Sequence, residues 1–169
     1  MAAHMVENSR RTVAVVMQCR AVDNRWQSEV WEPSGVLSNY EGAAEPRLLV
    51  EHAGLKQWLY PGLEIAVHKS EAEGYYHNVS SAEPSVFILW RIQGTGADPR
   101  DARAVPQYVT VSYDEASRWM DGGESVDRVA MPADLFAWVG EFVEQNYRAG
   151  PKKRIKPQSF LSPKDRARG

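Results

Sequence analysis

Three of the four histidines (His4 is set aside with the leader), one cysteine and several tryptophan–arginine neighbours are the side chains whose chemistry could go beyond packing. His52, His68 and His77 have the type and number of a three-histidine zinc site. No His-x-His and no Cys-x-x-Cys occurs, so the spacing that marks such sites is absent, and neither metal nor cofactor is expected. Cys19 is the only thiol, and in an apolar stretch it packs as a small hydrophobe instead of serving as a nucleophilic thiolate. There is no Gly-x-Ser-x-Gly and no phosphate-cradling Gly-x-x-x-x-Gly-Lys-Ser/Thr, and Gly94-Thr95-Gly96 opens no helix. Glu29, Glu32, Glu64, Glu71, Glu73, Asp121 and Glu124 offer acid–base groups, but no spacing selects a pair, and they read as an acidic surface. No catalytic residue is assigned. Asn78-Val79-Ser80 matches a glycosylation sequon by chance.

Recognition is better represented. Trp26, Trp31, Trp58, Trp90, Trp119 and Trp138 are many for this length, and Arg25 and Arg91 adjoin two of them. Tryptophan and arginine are the commonest anchors of protein interfaces, although large rings also simply fill small cores. The residues assigned to a partner surface are Arg25, Trp26, Trp31, Tyr75, Tyr76 and Arg91, with Lys152, Lys153, Arg154 and Phe160 from the C-terminal tail. That tail, Pro151 to Gly169, holds seven bases and one acid, so it carries +6 and leaves −8 on the rest of a chain of net charge −2. A basic tail on an acidic body either meets an acidic partner or folds back. The acidity of the body argues against nucleic acid as the partner. A ligand pocket lined by Trp90, Tyr76 and His77, inside a small barrel, is the alternative reading.

The elements that must position these groups are mostly strands. Pro84 to Ile92 is the most apolar run, too short for a buried helix and rich in β-formers, and reads as a central strand buried on both faces. Further strands are expected at Thr12–Arg20, Trp26–Glu32, Arg47–His52, Tyr75–Val79 and Tyr108–Tyr113. Leu55–Tyr60 and Leu63–His68 flank Pro61-Gly62, the signature of a type II turn, and predict a hairpin. Gln93 to Ala104, rich in glycine, proline and charge, reads as a mobile loop. After that the period becomes helical. A short helix capped by Asp114 stops at Gly122-Gly123. A longer one starts at Pro132 with Leu135, Phe136, Val139, Phe142 and Val143 as its apolar stripe. The expected class is mainly β (α+β): an antiparallel sandwich or small barrel of about seven strands with two C-terminal helices.

A length of 169 residues suits one domain, here 6–150, with the tail 151–169 and a cloning leader, 1–5, before a native start at Met5. No apolar run is long enough to span a membrane and no signal-peptide core is visible. With a single cysteine, this suggests a cytoplasmic protein. Oligomeric state is left open.

Four segments together carry a resemblance: Asn24 to Pro33 (NRWQSEVWEP), Glu73 to Asn78 (EGYYHN), Pro84 to Arg91, and Val111 to Ala116 (VSYDEA) running into Trp119 to Glu124 (WMDGGE). The combination resembles the bacterial family DUF3305 over roughly Thr12 to Phe160. That family has no established catalytic activity to transfer. The resemblance implies a genomic setting beside formate dehydrogenase genes, with a companion small protein of unknown function, DUF3306, and iron–sulfur or chaperone-like proteins. The expected function is therefore a non-catalytic accessory protein (assembly, maturation or docking) of a formate dehydrogenase or related molybdoenzyme, working by protein–protein recognition.

Overall fold

The computed structural model describes residues 9–23, 25, 28–94 and 101–148. Four strands make one antiparallel sheet: β1 (Arg10–Ala21), β2 (Glu29–Leu37), β3 (Arg47–His52) and β4 (Leu55–Ala66), in the order β2-β1-β4-β3. Three make a second, β5 (Ser85–Gln93), β6 (Arg103–Thr110) and β7 (Ser125–Ala130), in the order β6-β5-β7. Helix α1 (Ala72–Val79) follows a 3-10 turn at Lys69–Glu71, α2 is Tyr113–Asp121 and α3 is Ala133–Asn146. β2 lies against β7 and β4 against β6, but among the described residues no strand of one sheet pairs with a strand of the other. The architecture is a sandwich; the small barrel is not found.

Alternation along the strands builds the core between the sheets. Val13, Val15 and Met17 of β1 meet Tyr60 and Ile65 of β4, Val86 and Ile88 of β5, and Val109 of β6. Leu135, Val139 and Val143 of α3 and Tyr75 of α1 join the same cluster, closing the end of the sandwich where β1 begins and β4 finishes. β5 is the middle strand of its sheet as expected, buried from Ser85 to Leu89 and exposed from Arg91 onward. It does not organise the whole chain, because β1 and β4 hold the middle of the larger sheet.

Pro61-Gly62 is not a hairpin turn. β4 runs straight through it as one strand, and Val13 faces Leu63 while Val15 faces Tyr60, so Pro61 and Gly62 together oppose Ala14. This is a bulge, and Gly62 takes the positive φ (82°) that such a residue needs. β3 has ended its pairing at Leu59, so the missing N–H of Pro61 costs no ladder bond on that side. The tight turn lies instead at Ala53-Gly54, where Gly54 has φ 86° and His52 pairs with Leu55. Pro33-Ser34-Gly35 likewise continues β2 instead of ending it: among the described residues β2 pairs only with β1, and Ser34 is an extra residue between the pairs Met17–Pro33 and Val16–Gly35.

The expected strand at Tyr75–Val79 is the helix α1. Its buried residues Ala72, Gly74, Tyr75 and Asn78 recur at helical spacing. Gly74, at the end of the stretch Lys69 to Gly74 that by composition reads as a charged loop, lets α1 approach the start of α2 closely, since a Cβ there would overlap the Ser112 hydroxyl. That hydroxyl, not Asp114, caps α2, accepting from the Glu115 amide at 3.0 Å and donating to Glu71 Oε2 at 2.6 Å. Asn78 is 1% exposed and ties α1 to both β5 and the end of β6: its Nδ2 donates to the Ser85 and Val111 carbonyls at 2.7 and 2.9 Å, and its Oδ1 accepts from the Ser85 amide at 2.9 Å. In α3, Trp138 is buried, with the Arg11 guanidinium 4.6 Å from its ring, while Phe136 of the expected stripe is 43% exposed. β7 was not foreseen.

Candidate functional site

At the end of the sandwich opposite the helices, successive strand registers place four side chains in one row. Glu51 of β3 faces Lys56 of β4, Lys56 faces Cys19 of β1, and Cys19 faces Trp31 of β2. Cross-strand partners project to the same face, so the row lies on the side turned towards the second sheet. Trp58 and Glu29, two positions along their strands, join that face. Asp101, Ala102 and Arg103 at the start of β6 form the opposite wall. Together they line a cleft of about 300 Å³. The Arg103 guanidinium sits 3.9 Å from the centre of the Trp58 ring, a cation–π contact, and Trp31 and Trp58 rest on the core cluster. Three carboxylates (Glu29, Glu51 and Asp101) and two cations (Lys56 and Arg103) surround these rings.

Cys19 lies at the bottom of the cleft, 5% exposed. Burial, and then the Glu29 carboxylate beside it, push its thiol up to about 11, so it is protonated at neutral pH and unsuited to attack. Burial also pushes the Tyr75 phenol up to about 12 at the other end of the core. Both groups are held neutral by the fold. Their contributions are complete below the ordinary values and are lost as pH rises, between about 9 and 11 for Cys19 and about 10 and 12 for Tyr75. Thermal midpoints are therefore expected to fall steadily above pH 9, each group costing about 1.4 kcal/mol per pH unit within its window. Cys19→Ala is expected to flatten the curve between pH 9 and 11; an unchanged slope would remove the assignment.

Among the described residues, Trp31 and the pair Tyr75 and Tyr76 of the expected surface lie at opposite ends of the sandwich. Trp31 is in the cleft. Tyr75 is 1% exposed and belongs to the core, its hydroxyl accepting from the His68 amide at 2.9 Å, so it offers no surface to a partner. Tyr76, 38% exposed, stacks on Tyr147 with ring centres 4.5 Å apart. Arg91 is exposed, but both its Nη2 and Nε bond Glu124, at 2.7 and 3.2 Å. Arg25 is exposed. Trp26, Lys152, Lys153, Arg154 and Phe160 lie outside the described residues. The alternative pocket is also dispersed: Trp90 donates its indole N–H to Asp127, and it lies five residues, about 17 Å, along β5 from Ser85, where α1 packs. His52 ends β3, His68 precedes the 3-10 turn, and His77 bridges towards Glu73 and Asp114 at 3.8 and 3.1 Å. Among the described residues no three of His, Cys, Asp and Glu gather as a metal site would require. No helix among them is long and apolar enough to cross a membrane.

Residues 12–156 match a family described as "Protein of unknown function (DUF3305)". The chain belongs to the DUF3305 family. No curated protein and no solved structure matches it. The DUF3305 match spans both sheets and all three helices, so the cleft and the helical end fall within the family region. Of the cleft residues, Arg103 carried no signal in the sequence because it sits in a stretch that reads as loop. Lys56, Trp58 and Tyr60 do alternate, but only the register across four strands shows which face they share.

A second concavity lies on the outer face of the smaller sheet. Phe87, Val126, Tyr113 and Met120 line a groove of about 280 Å³ between α2 and strands β5 and β7, with Asp127 and Arg128 at its edge. The Phe87 and Tyr113 rings meet edge-on, 6.0 Å apart.

Proposed function

We propose that this DUF3305 protein is a non-catalytic accessory factor of a formate dehydrogenase or related molybdoenzyme, serving its assembly, maturation or docking through protein–protein recognition. The observation that supports recognition is the open-end cleft, where Trp31, Trp58 and Arg103 stand among opposed charges. These residue types concentrate binding energy when a partner excludes water from them. The thiol at the bottom is protonated and gives the cleft no nucleophile. Formate dehydrogenase enters through the genomic setting that the DUF3305 resemblance implies.

The test is affinity capture from the native host with the wild-type chain, Trp58→Ala and Arg103→Ala. Dehydrogenase subunits are expected with the wild type and at least about tenfold less with either variant, as for loss of an interface anchor. Intact formate oxidation after gene deletion, with no dehydrogenase subunit captured, overturns the proposal. A small-ligand site is the second reading, favoured only by the cleft's volume, which is at the lower limit for ligand pockets.

A further inference from the structure

The described chain ends at Arg148, two residues beyond α3, and Tyr147 lies stacked on Tyr76 of α1. The next residue of α1, His77, bonds Asp114 in the first turn of α2 at 3.1 Å. The backbone therefore leaves the body beside the start of α2. The surface there is acidic: α1 contributes Glu73, and α2 contributes Asp114, Glu115 and Asp121. The one base of α2, Arg118, is already bonded to Glu71. Next to these carboxylates is the groove of Phe87, Tyr113, Met120 and Val126, where Tyr113 and Met120 are 47% and 50% exposed.

The sequence that follows is complementary to this surface. Lys152, Lys153, Arg154 and Lys156 come first, with Ile155 among them, and Phe160 and Leu161 follow. Twenty-one residues remain after Arg148, enough to reach about 70 Å if extended. α2 is only about 14 Å long, so the whole groove is within reach. Attachment to the same chain also supplies an effective concentration on the order of millimolar, so weak contacts suffice.

We propose that the segment Lys152–Leu161 docks on its own body. Its bases lie against Glu73, Asp114 and Glu115, and Phe160 enters the groove of Phe87, Tyr113 and Met120. This docking does not depend on what the cleft at the other end binds. It makes the groove a site that the chain itself covers, and one that an acidic partner could uncover by taking the tail away.

The test uses the full chain carrying Ser159→Cys and a nitroxide label, which Cys19 escapes because it is buried. The amide signals of Phe87, Tyr113, Met120 and Val126 are expected to broaden selectively. Met120→Lys, or Asp114→Lys with Glu115→Lys, should reduce that broadening at least about threefold, as should raising salt from roughly 0.05 to 0.5 M. Uniform broadening over the surface, broadening centred on Trp31 and Trp58, or insensitivity to both sets of substitutions overturns the proposal. So does broadening that persists when the nitroxide and the isotope label are on different molecules, which would assign the groove to the tail of a second copy.

Discussion

Replacing Asn78 with alanine is expected to destabilise the protein by about 3–5 kcal/mol, a large part of the roughly 5–15 kcal/mol that holds a domain of this kind together. The side chain is almost fully buried and makes three hydrogen bonds, all to backbone: two to Ser85 and one to Val111. Alanine leaves one amide and two carbonyls without partners where water does not reach, and the desolvation of each counts against the fold. It also releases α1 from the start of β5 and the end of β6, the junction on which the helical end rests. Urea unfolding of the variant measures this directly, and a loss under about 1 kcal/mol would refute the role assigned to the side chain. Asn78→Asp gives a sharper check. It keeps an acceptor for the Ser85 amide but turns two donors into acceptors facing carbonyls. Burial favours the neutral carboxyl, so that variant should be most stable below about pH 4 and lose stability as pH rises from there.

The second large effect is expected at Gly74. Glycine to alanine inside a helix ordinarily stabilises by up to about 1 kcal/mol. Here the sign should reverse, with a net loss of about 2 kcal/mol. The added methyl would overlap Ser112 Oγ and come within 3.2 Å of Ser112 Cβ and 3.3 Å of Asp114 Cβ. Ser112 cannot swing away freely, because its hydroxyl is engaged by Glu71 and by the Glu115 amide. Ser112→Ala removes the obstructing oxygen, and in that background Gly74→Ala should cost only about half as much. Strict additivity of the two substitutions would mean that the helices do not meet as described.

Much of the fold was legible where one local signal dominated. The apolar run at Ser85–Leu89, the alternation of β1 and the Gly122-Gly123 stop all act within a few residues, and each element formed as its pattern indicates. The signals that misled were those whose meaning depends on a neighbour. Pro61-Gly62 is a turn or a bulge according to whether a partner strand continues past it, and β1 does. Gly74 ends a loop or permits a close helix contact according to what lies opposite, and Ser112 does. Ser112-Tyr113-Asp114-Glu115 contained the true cap of α2 in its spacing, but the carboxylate two residues on drew the assignment. Of the expected surface residues, Trp31 proved to line a cleft, whereas Tyr75 is interior: an aromatic pair such as Tyr75-Tyr76 does not reveal which ring faces inward until the helix is placed.

Unequal sheets have a price in solution behaviour. With four strands facing three, β3 overhangs; among the described residues it pairs with β4 alone, and every residue in it except Val50 is exposed. Its outer row of peptide groups is a template on which another molecule could lengthen the ladder. The six-residue length, the charges of Arg47 and Glu51, and the register break between Leu48 and Val50 work against such growth. Substitutions that straighten or neutralise β3 would therefore show up first as concentration-dependent self-association, before any change in the fold of the individual chain.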